Sequence, residues 1–236
     1  MIKGIYAAGR SLDQRLKNID VIANNLANLN STGYKREIPF SEMINQAGEV
    51  VIKKVTSQQQ GEILQTSNPL DLAISGEGFF VVKGDDGSVE LTRDGRFKLS
   101  EDGVLTDSNG KKVMGKNGSI SLEDSLLNKN SSIMISKNGE VKVGDKIVDK
   151  IMVATVPRPS DLMRTDGSNF LPGDQTVMNA PENEFAVSQG FLEESNTNPI
   201  VEMEAMISLN KEFETAQKVI STLDASLGEA NEIGKI

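Results

Sequence analysis

Few side chains in this sequence could carry out catalysis, because the 236 residues include no histidine and no cysteine. The composition therefore excludes imidazole general bases, thiol nucleophiles and zinc sites built from Cys and His. Carboxylates remain, and Asp71, Glu77 and Asp94 could supply the acid and the base of a hydrolase. No convergent set of polar residues accompanies them, and the residues near Asp71 are typical of a turn that enters a strand. A carboxylate-dependent hydrolase is therefore the alternative that the sequence favours less.

Two glycine-containing stretches match nucleotide-binding loops only in part. Residues 110–117 (GKKVMGKN) have the spacing of a phosphate-binding loop, but Asn117 stands where a Ser or Thr would ligate magnesium. Residues 75–81 (SGEGFFV) begin like a dinucleotide fingerprint, but Val81 replaces the third glycine. Neither stretch is followed by a helical pattern. We therefore predict a protein that is not an enzyme, with no catalytic residues, no metal and no cofactor.

The charge balance argues against nucleic acid as a partner. The chain has 34 acidic and 25 basic residues, a net charge of -9, whereas binding a phosphate backbone requires clustered Lys and Arg. No run approaches the roughly 18 apolar residues of a membrane helix, and the N-terminus lacks the apolar segment of a cleaved signal. We expect no nucleic-acid binding and no membrane span.

Helical periodicity marks the two ends of the chain, where apolar and small residues recur at alternating spacings of three and four. The N-terminal stripe consists of Ile2, Ile5, Gly9, Leu12, Leu16, Ile19, Ala23 and Leu26, and the C-terminal stripe of Met206, Leu209, Phe213, Ala216, Ile220, Leu223, Leu227 and Ala230. Asn198 as an N-cap and Pro199 as the first helical residue predict the start of the second helix. Two stripes of this kind predict a helix pair.

Charge supports this pairing. The first 40 residues hold six basic and three acidic residues, net +3, and residues 191–236 hold three basic and nine acidic residues, net -6. Opposite charges favour bringing the two ends together, so we predict that the helices pair as a coiled coil. The alternative is two independent amphipathic helices that pack on a globular core.

Between the helices, short β-rich runs are separated by turn dipeptides. Asp-Gly or Asn-Gly pairs end at residues 87, 95, 103, 110 and 118, which predicts short antiparallel strands joined by turns that need positive φ. Residues 160–190 are expected to be loops and extended segments. The fold class is therefore α+β, with discontinuous terminal helices and a central antiparallel β-rich domain. The predicted boundaries are 1–36 for the N-terminal helical segment, 37–69 for an extended connector, 70–189 for a β-rich outer domain and 190–236 for the C-terminal helical segment.

Three blocks of sequence resemble, in order, the bacterial flagellar rod and hook family of axial proteins. They are residues 23–36 (ANNLANLNSTGYKR), residues 60–82 with the following TRDGRF at 92–97, and residues 190–207 (GFLEESNTNPIVEMEAMI). The residues that carry the signature are Thr32, Gly33, Tyr34, Lys35, Asp71, Gly76, Gly78, Phe79, Phe80, Asn196, Asn198, Glu202 and Met203. Leu91, where the family usually has Tyr, and Asn210 and Lys211, where Gln and Arg are common, depart from the pattern.

The resemblance implies a structural subunit of the flagellar basal-body rod, located in the periplasm and exported by the flagellar type III apparatus. Its implied partners are copies of itself and other rod subunits, which it would contact through its terminal helices. The expected polymerisation interface consists of Ile5, Leu12, Leu16, Ile19, Asn24, Asn25, Leu26, Asn28, Met206, Leu209, Phe213, Ile220, Leu223 and Leu227. The single compact β region resembles a proximal rod subunit, with a distal rod or other hook-family subunit as the alternative. An export chaperone could also use long helices, but it would not need the β domain.

Overall fold

The computed structural model describes residues 2–44, 50–123, 132–165 and 167–233, and the chain divides into two compact units. The first unit comprises Met1–Ala27, Glu37–Val55 and Asn198–Ile236, and the second comprises Asn28–Arg36 and Thr56–Thr197. The architecture is α+β, with a helix at each end of the chain and a large antiparallel β-rich body between them. The predicted fold class is confirmed at this level.

The first unit contains helix α1 (Ile2–Ala27), helix α2 (Pro199–Ile233) and a two-stranded sheet of β1 (Glu37–Ile44) and β2 (Val50–Thr56). Helix α2 begins where the sequence predicts. The Asn198 Oδ1 atom accepts hydrogen bonds from the backbone N–H groups of Ile200 at 3.0 Å and Val201 at 3.4 Å. Asn198 therefore caps two donors that the first helical turn leaves without intrahelical partners.

Helix α2 packs along α1 with the face that its apolar stripe predicts. Between positions 206 and 223, the half-buried residues are the stripe residues and all the others are exposed. The half-buried set is Met206, Leu209, Phe213, Ala216, Ile220 and Leu223. An ion pair between Arg15 of α1 and Glu212 of α2 joins the two helices. The period of the C-terminal stripe is therefore the period of the packed face.

Helix α1 buries a face that differs from its predicted stripe. Leu12, Ile19 and Leu26 are half-buried as expected, but Leu16 is 47% exposed and Ala23 is also exposed. The set of buried and half-buried residues outside the stripe is Ala8, Ser11, Gln14, Arg15, Asn18, Val21, Ile22 and Asn25. It includes Arg15 and Asn25 because both side chains find polar partners there. A search for apolar spacing does not include such positions, which is why the predicted stripe is wrong at Gly9, Leu16 and Ala23.

The second unit is built from antiparallel strands. Its strands are β3 (Ile63–Gln65), β4 (Leu72–Gly76), β5 (Phe79–Lys83), β6 (Val89–Thr92), β7 (Lys98–Leu99), β8 (Leu105–Thr106), β9 (Lys112–Gly115), β10 (Gly118–Ser119), β11 (Ile133–Ile135), β12 (Glu140–Val143), β13 (Lys146–Lys150), β14 (Val153–Thr155), β15 (Met163–Arg164), β16 (Asn169–Leu171), β17 (Met178–Asn179), β18 (Phe185–Gln189) and β19 (Phe191–Glu193). A single 3-10 turn, Pro159–Asp161, follows β14.

The main sheet has ten strands, with the order β15-β16-β6-β5-β9-β8-β7, and β10, β14 and β17 pair beside this path. A three-stranded sheet, β11-β12-β13, and the pairs β18-β4 and β19-β3 complete the unit. The expectation of loops and extended segments over 160–190 is wrong in part, because β15, β16, β17 and β18 form there. These strands are mostly two or three residues long, too short to show the alternation of a strand, although Asp166-Gly167 between β15 and β16 is a dipeptide of the kind that marks the earlier turns.

The core lies on both faces of β5, whose first four residues Phe79, Phe80, Val81 and Val82 are all buried. Phe80 and Val82 belong to one hydrophobic cluster, and Phe79 and Val81 to a second. Because successive side chains of a strand point to opposite faces, a continuous apolar run is what a strand covered on both sides requires. Aromatic edge contacts extend both clusters, with Phe80 and Phe97 centroids 5.1 Å apart and Phe79 and Phe170 centroids 6.0 Å apart.

Four of the five predicted turn glycines, at positions 87, 103, 110 and 118, have positive φ. Gly95 does not, so its prediction as a turn glycine is wrong. A Cβ on Gly95 would lie 1.7 Å from the carbonyl oxygen of Leu72, and the Leu72 N–H donates to the Gly95 oxygen at 3.0 Å. Glycine is required here by the close approach of two backbones.

Candidate functional site: a buried polar junction and the terminal helices

A buried ion cluster centred on Glu193 lies inside the second unit. The Lys35 Nζ atom is 2.5 Å from Glu193 Oε1, and Arg93 Nη1 is 3.2 Å from Glu193 Oε2. The residues are 1%, 5% and 0% exposed for Lys35, Arg93 and Glu193. The Gly61 N–H also donates to Glu193 at 3.0 Å, and Lys35 donates to the Gln59 carbonyl at 2.8 Å. Each of the three sequence blocks thus contributes one charged side chain to a single junction: Lys35 from the first, Arg93 from the second and Glu193 from the third.

The electrostatics of this junction reflect two cations around one carboxylate. Burial lowers the pKa of the Lys35 ammonium, and Glu193 offsets part of that effect. Burial likewise lowers the pKa of the Arg93 guanidinium against the opposing influence of Glu193. Arg93 also donates to the carbonyls of Ile74 at 3.3 Å and Gly76 at 2.8 Å. These side chains are committed to partners within the chain, so the junction holds segments together and presents no reactive group to a substrate.

Gly33 and Tyr34 fix the N-terminal segment of the second unit beside this cluster. Gly33 has a φ of 66°, and a Cβ there would lie 2.3 Å from the Asp94 backbone nitrogen. The Gly33 N–H donates to the Glu193 carbonyl at 2.8 Å. Tyr34 is 2% exposed, and the Arg164 Cζ atom lies over its ring, 4.1 Å from the ring centroid. These signature residues therefore serve backbone contact and packing.

The remaining signature residues of the second unit also have contacts within it. The Asn196 side chain accepts from the Arg36 N–H at 2.7 Å and donates to the carbonyls of Ser57 and Gln59. The Thr32 carbonyl accepts from the Ser168 hydroxyl at 2.9 Å. Gly76 and Gly78 have positive φ and flank the turn into β5.

In the first unit, Asn25 joins helix α1 to β1 and α2. Its Nδ2 atom donates to the Glu37 carbonyl at 2.8 Å and to Glu202 Oε2 at 3.2 Å, and its Oδ1 atom accepts from the Glu37 N–H at 2.9 Å. Asn25 and Glu202 are both 0% exposed. Asn25 pairs with the backbone of Glu37 as a neighbouring strand would, which fixes the direction in which the chain leaves α1.

The other residues of the expected polymerisation interface are distributed over two kinds of position. Leu12, Ile19, Leu26, Met206, Leu209, Phe213, Ile220 and Leu223 are half-buried, as is Asn28, whereas Leu16 and Asn24 are exposed. Asn28 accepts a hydrogen bond from the Ser31 hydroxyl at 3.0 Å just after α1 ends. The side chains of Ile5 and Leu227 lie outside the described residues. The helix pair within one chain thus already uses most of the set.

Several exposed apolar residues of the helices were not in the predicted interface. Tyr6 is 72% exposed, Ile200 is 71% exposed and Ile207 is 56% exposed, and the signature residue Met203 is 47% exposed. Arg93 and Glu193 were also missed by sequence reasoning, because no periodicity relates two residues whose charged groups meet across 100 positions of chain.

The carboxylates considered for hydrolysis do not form a site. Asp94 is bound by Arg96, with Nη2 to Oδ2 at 2.9 Å, and this hydrogen bond raises the pKa of Arg96. Asp71 accepts from the Asn68 side chain at 2.9 Å, and Glu77 is exposed. Within residues 2–44, 50–123, 132–165 and 167–233, no group of three or more acidic residues is placed to hold a metal ion.

None of the helices in the described part of the chain is long and apolar enough to cross a membrane.

Comparison with known proteins gives a consistent result along the chain. Residues 5–35 match the family described as flagella basal body rod protein, residues 73–143 match the flagellar hook protein FlgE/F/G D1 domain, and residues 188–233 match the flagellar basal body rod FlgEFG protein C-terminal region. The chain is 31% identical over 235 residues to the flagellar basal-body rod protein FlgF of Caulobacter vibrioides, covering 93% of each chain.

Two further relatives agree. The chain is 29% identical to FlgF of Mesorhizobium japonicum, over 95% of this chain and 93% of the relative. It is 30% identical to the flagellar basal-body rod protein FlgG of Borreliella burgdorferi, over 99% of each. The terminal helices, the β-rich body and these matches define a structural protein of the flagellar axis, and the chain belongs to the flagellar basal-body rod protein family.

Within this family, the chain is a rod protein most like FlgF. The family consists of structural proteins that are not known as enzymes. Its members are located in the rod of the flagellar basal body, where they assemble with other rod components. The resemblance that the sequence analysis identified is confirmed, as are its structural function and its location.

Proposed function

We propose that this rod subunit assembles through its terminal helices, with α1 and α2 paired as a coiled coil that forms the polymerisation segment. The observation that carries the proposal is the packed face of α2, whose half-buried residues follow the alternating spacing of three and four from Met206 to Leu223. Two long helices from opposite ends of the chain form one unit together with β1 and β2. Such a unit can present the same helical surface in every subunit.

The 14 residues of the expected polymerisation interface belong to this segment, and most of them hold the two helices together. Leu12 and Ile19 of α1 and Phe213 of α2 are half-buried, so a charge at any of these positions would be placed in an apolar contact. Variants that break the pair are therefore expected to block assembly.

We also propose a domain division and an export route for this subunit. The β-rich body would form a domain distinct from the helical polymerisation segments, although β1 and β2, which lie within the predicted connector 37–69, belong to the first unit. The subunit would reach the periplasm through the flagellar type III export apparatus and assemble with copies of itself and with other rod subunits. The rod names of the relatives support the assembly partners.

Substitution in the helix face tests the assembly segment. Leu12→Asp and Phe213→Asp should each abolish incorporation into basal bodies while the thermal unfolding of the β-rich unit stays unchanged, because the charge enters the helix contact. Ser208→Asp is the matched control, since Ser208 is exposed on α2. Incorporation is measured by immunoblotting of purified basal bodies. Normal incorporation of both variants would refute the proposal.

A further inference from the structure

The sequence contains three Asn-Gly pairs, at residues 109–110, 117–118 and 138–139. Asparagine followed by glycine is prone to deamidation, because glycine has no side chain to hinder attack of its backbone nitrogen on the asparagine amide. The three pairs are alike in sequence, but their surroundings in the second unit differ. These surroundings therefore decide which pair can react in the folded chain.

The side chain of Asn109 is unrestrained. Asn109 is exposed, and its side chain makes no hydrogen bond with another residue in the described part of the chain. Gly110 is also exposed, lies between β8 and β9, and a Cβ on it would meet no atom within 4 Å. Its N–H makes a single turn hydrogen bond, to the Asp107 carbonyl at 3.2 Å. The side-chain amide and the attacking nitrogen are thus both accessible.

Asn117 is exposed as well, but its side chain is held by a carboxylate. The Asn117 Nδ2 atom donates to Asp149 Oδ1 at 3.1 Å, and the Asn117 N–H donates to Asp149 Oδ2 at 3.4 Å. Asp149 is 8% exposed, so its position is fixed by the packing around it. Gly118 belongs to β10 and pairs with Gly115 of β9. Reaction at Asn117 therefore requires the loss of a hydrogen bond to a charged group and a local opening of the hairpin.

Asn138 is half-buried, and two nearby residues bind its side-chain oxygen. The Oδ1 atom accepts hydrogen bonds from the Ser136 hydroxyl and from the Glu140 N–H, the latter at 3.4 Å. The following residue, Gly139, is buried, and its N–H donates to the Ser136 carbonyl at 2.9 Å. The side-chain amide and the attacking nitrogen are therefore both fixed within this turn.

We propose that Asn109 is a site of spontaneous deamidation in the folded protein and that Asn117 and Asn138 are protected by their hydrogen bonds. The Gly110 nitrogen loses its proton to solvent and forms a bond to Asn109 Cγ, while the Cγ–Nδ2 bond breaks and Nδ2 takes a proton from water and leaves as ammonia. Water then opens the succinimide at either carbonyl, which gives aspartate or isoaspartate at position 109. Water is the only co-reactant, and no oxidation or reduction occurs.

The modification adds one negative charge to the exposed turn between β8 and β9. This turn is held by Asp107 Oδ1, which accepts from the N–H groups of Asn109 at 2.9 Å and Lys111 at 2.8 Å. The Asn109 side chain takes no part in these hydrogen bonds, so the aspartate product should preserve the turn. The isoaspartate product lengthens the backbone between Asp107 and Lys111 and should weaken it. This inference does not depend on how the subunit assembles.

Peptide mapping of the full-length chain by mass spectrometry tests the site. Folded protein and protein in concentrated urea are incubated in parallel at mildly alkaline pH, and trypsin separates the three pairs because lysines lie between them. In the folded chain, Asn109 should deamidate at least about tenfold faster than Asn117, since a hydrogen bond to a charged group is worth a factor of this order. Asn138 should also be slow, and in urea the three rates should converge. Asn109 unmodified in the folded chain, or Asn117 or Asn138 as fast as Asn109 there, would overturn the proposal.

Variants of Asp149 test the protection of Asn117. Asp149→Ala releases the Asn117 side chain, so Asn117 should then deamidate at nearly the rate of Asn109. In Asp149→Asn, which retains an acceptor oxygen, Asn117 should stay slow. Asn138 in the same samples is the control for folding, because its hydrogen bonds come from other residues. A slow Asn117 in Asp149→Ala would overturn its protection by the carboxylate; acceleration of Asn138 would show that the variant is unfolded, and the two wild-type incubations then decide.

Discussion

Replacing Glu193 by Gln should strongly destabilise the second unit. The carboxylate is 0% exposed and is hydrogen-bonded to two buried cations, Lys35 and Arg93. Removing one partner of a buried ion pair typically costs about 3–5 kcal/mol, because the remaining charge is left uncompensated. Gln keeps the size of Glu and an oxygen that can accept from the Gly61 N–H, so we expect the lower end, about 3 kcal/mol. For a unit of this size, that loss corresponds to a fall in Tm of roughly 6–12 °C.

Urea unfolding of the full chain, followed by circular dichroism, would measure this change in the free energy of unfolding. Glu194→Gln is the matched control, because Glu194 is the neighbouring residue and its side chain is exposed. The control should change the free energy of unfolding by less than about 0.5 kcal/mol. A loss below about 1 kcal/mol in Glu193→Gln, or equal losses in both variants, would refute the inference that the ion cluster stabilises the β-rich unit.

Three further predictions concern single residues. Burial lowers the pKa of Lys35 from its ordinary value of 10.5, so the wild-type free energy of unfolding should rise as pH increases from the lowered pKa towards 10.5. The Lys35→Met variant should lose this rise. Identical pH dependence of unfolding in the two proteins would contradict the prediction. Asn25→Leu leaves two backbone groups of Glu37 without their partner and should cost about 2–4 kcal/mol in urea unfolding, whereas Leu at exposed Asn24 should have little effect. Gly95→Ala should lower the free energy of unfolding by about 3 kcal/mol or more, and Tm with it, because its Cβ would lie 1.7 Å from the carbonyl oxygen of Leu72. An unchanged Tm would show that the two backbones can separate at little cost.

The C-terminal helix was predictable from sequence because one physical property determines its packed face. From Met206 to Leu223, every apolar stripe residue is half-buried and every intervening residue is exposed. Its start was also predictable, since Asn198 and Pro199 suit the local geometry of a helix N-terminus. Local signals and periodicity agree there, and tertiary contacts add no competing requirement.

Helix α1 was less predictable because polar residues occupy its packed side. Arg15 and Asn25 lie on that side since their partners come from α2 and β1, which are remote in sequence. The ion cluster shows the same limit, because Arg93 and Glu193 can be paired only when the strand topology is known. The resemblance to a family identified Lys35 as part of a signature, but it did not indicate that the ammonium is buried against a carboxylate.

The segments through which the chain enters and leaves the second unit are held together inside it. Residues 28–36 and 190–197 meet at the Gly33 N–H, which donates to the Glu193 carbonyl, and at the Lys35 ion pair with Glu193. The chain therefore enters and leaves the β-rich body at neighbouring points. The number of residues in the body does not change the distance between these points. Insertions or deletions in its surface turns can change the size of the body without altering the distance between residues 28–36 and 190–197. One set of terminal helices can thus serve axial subunits whose bodies differ in size.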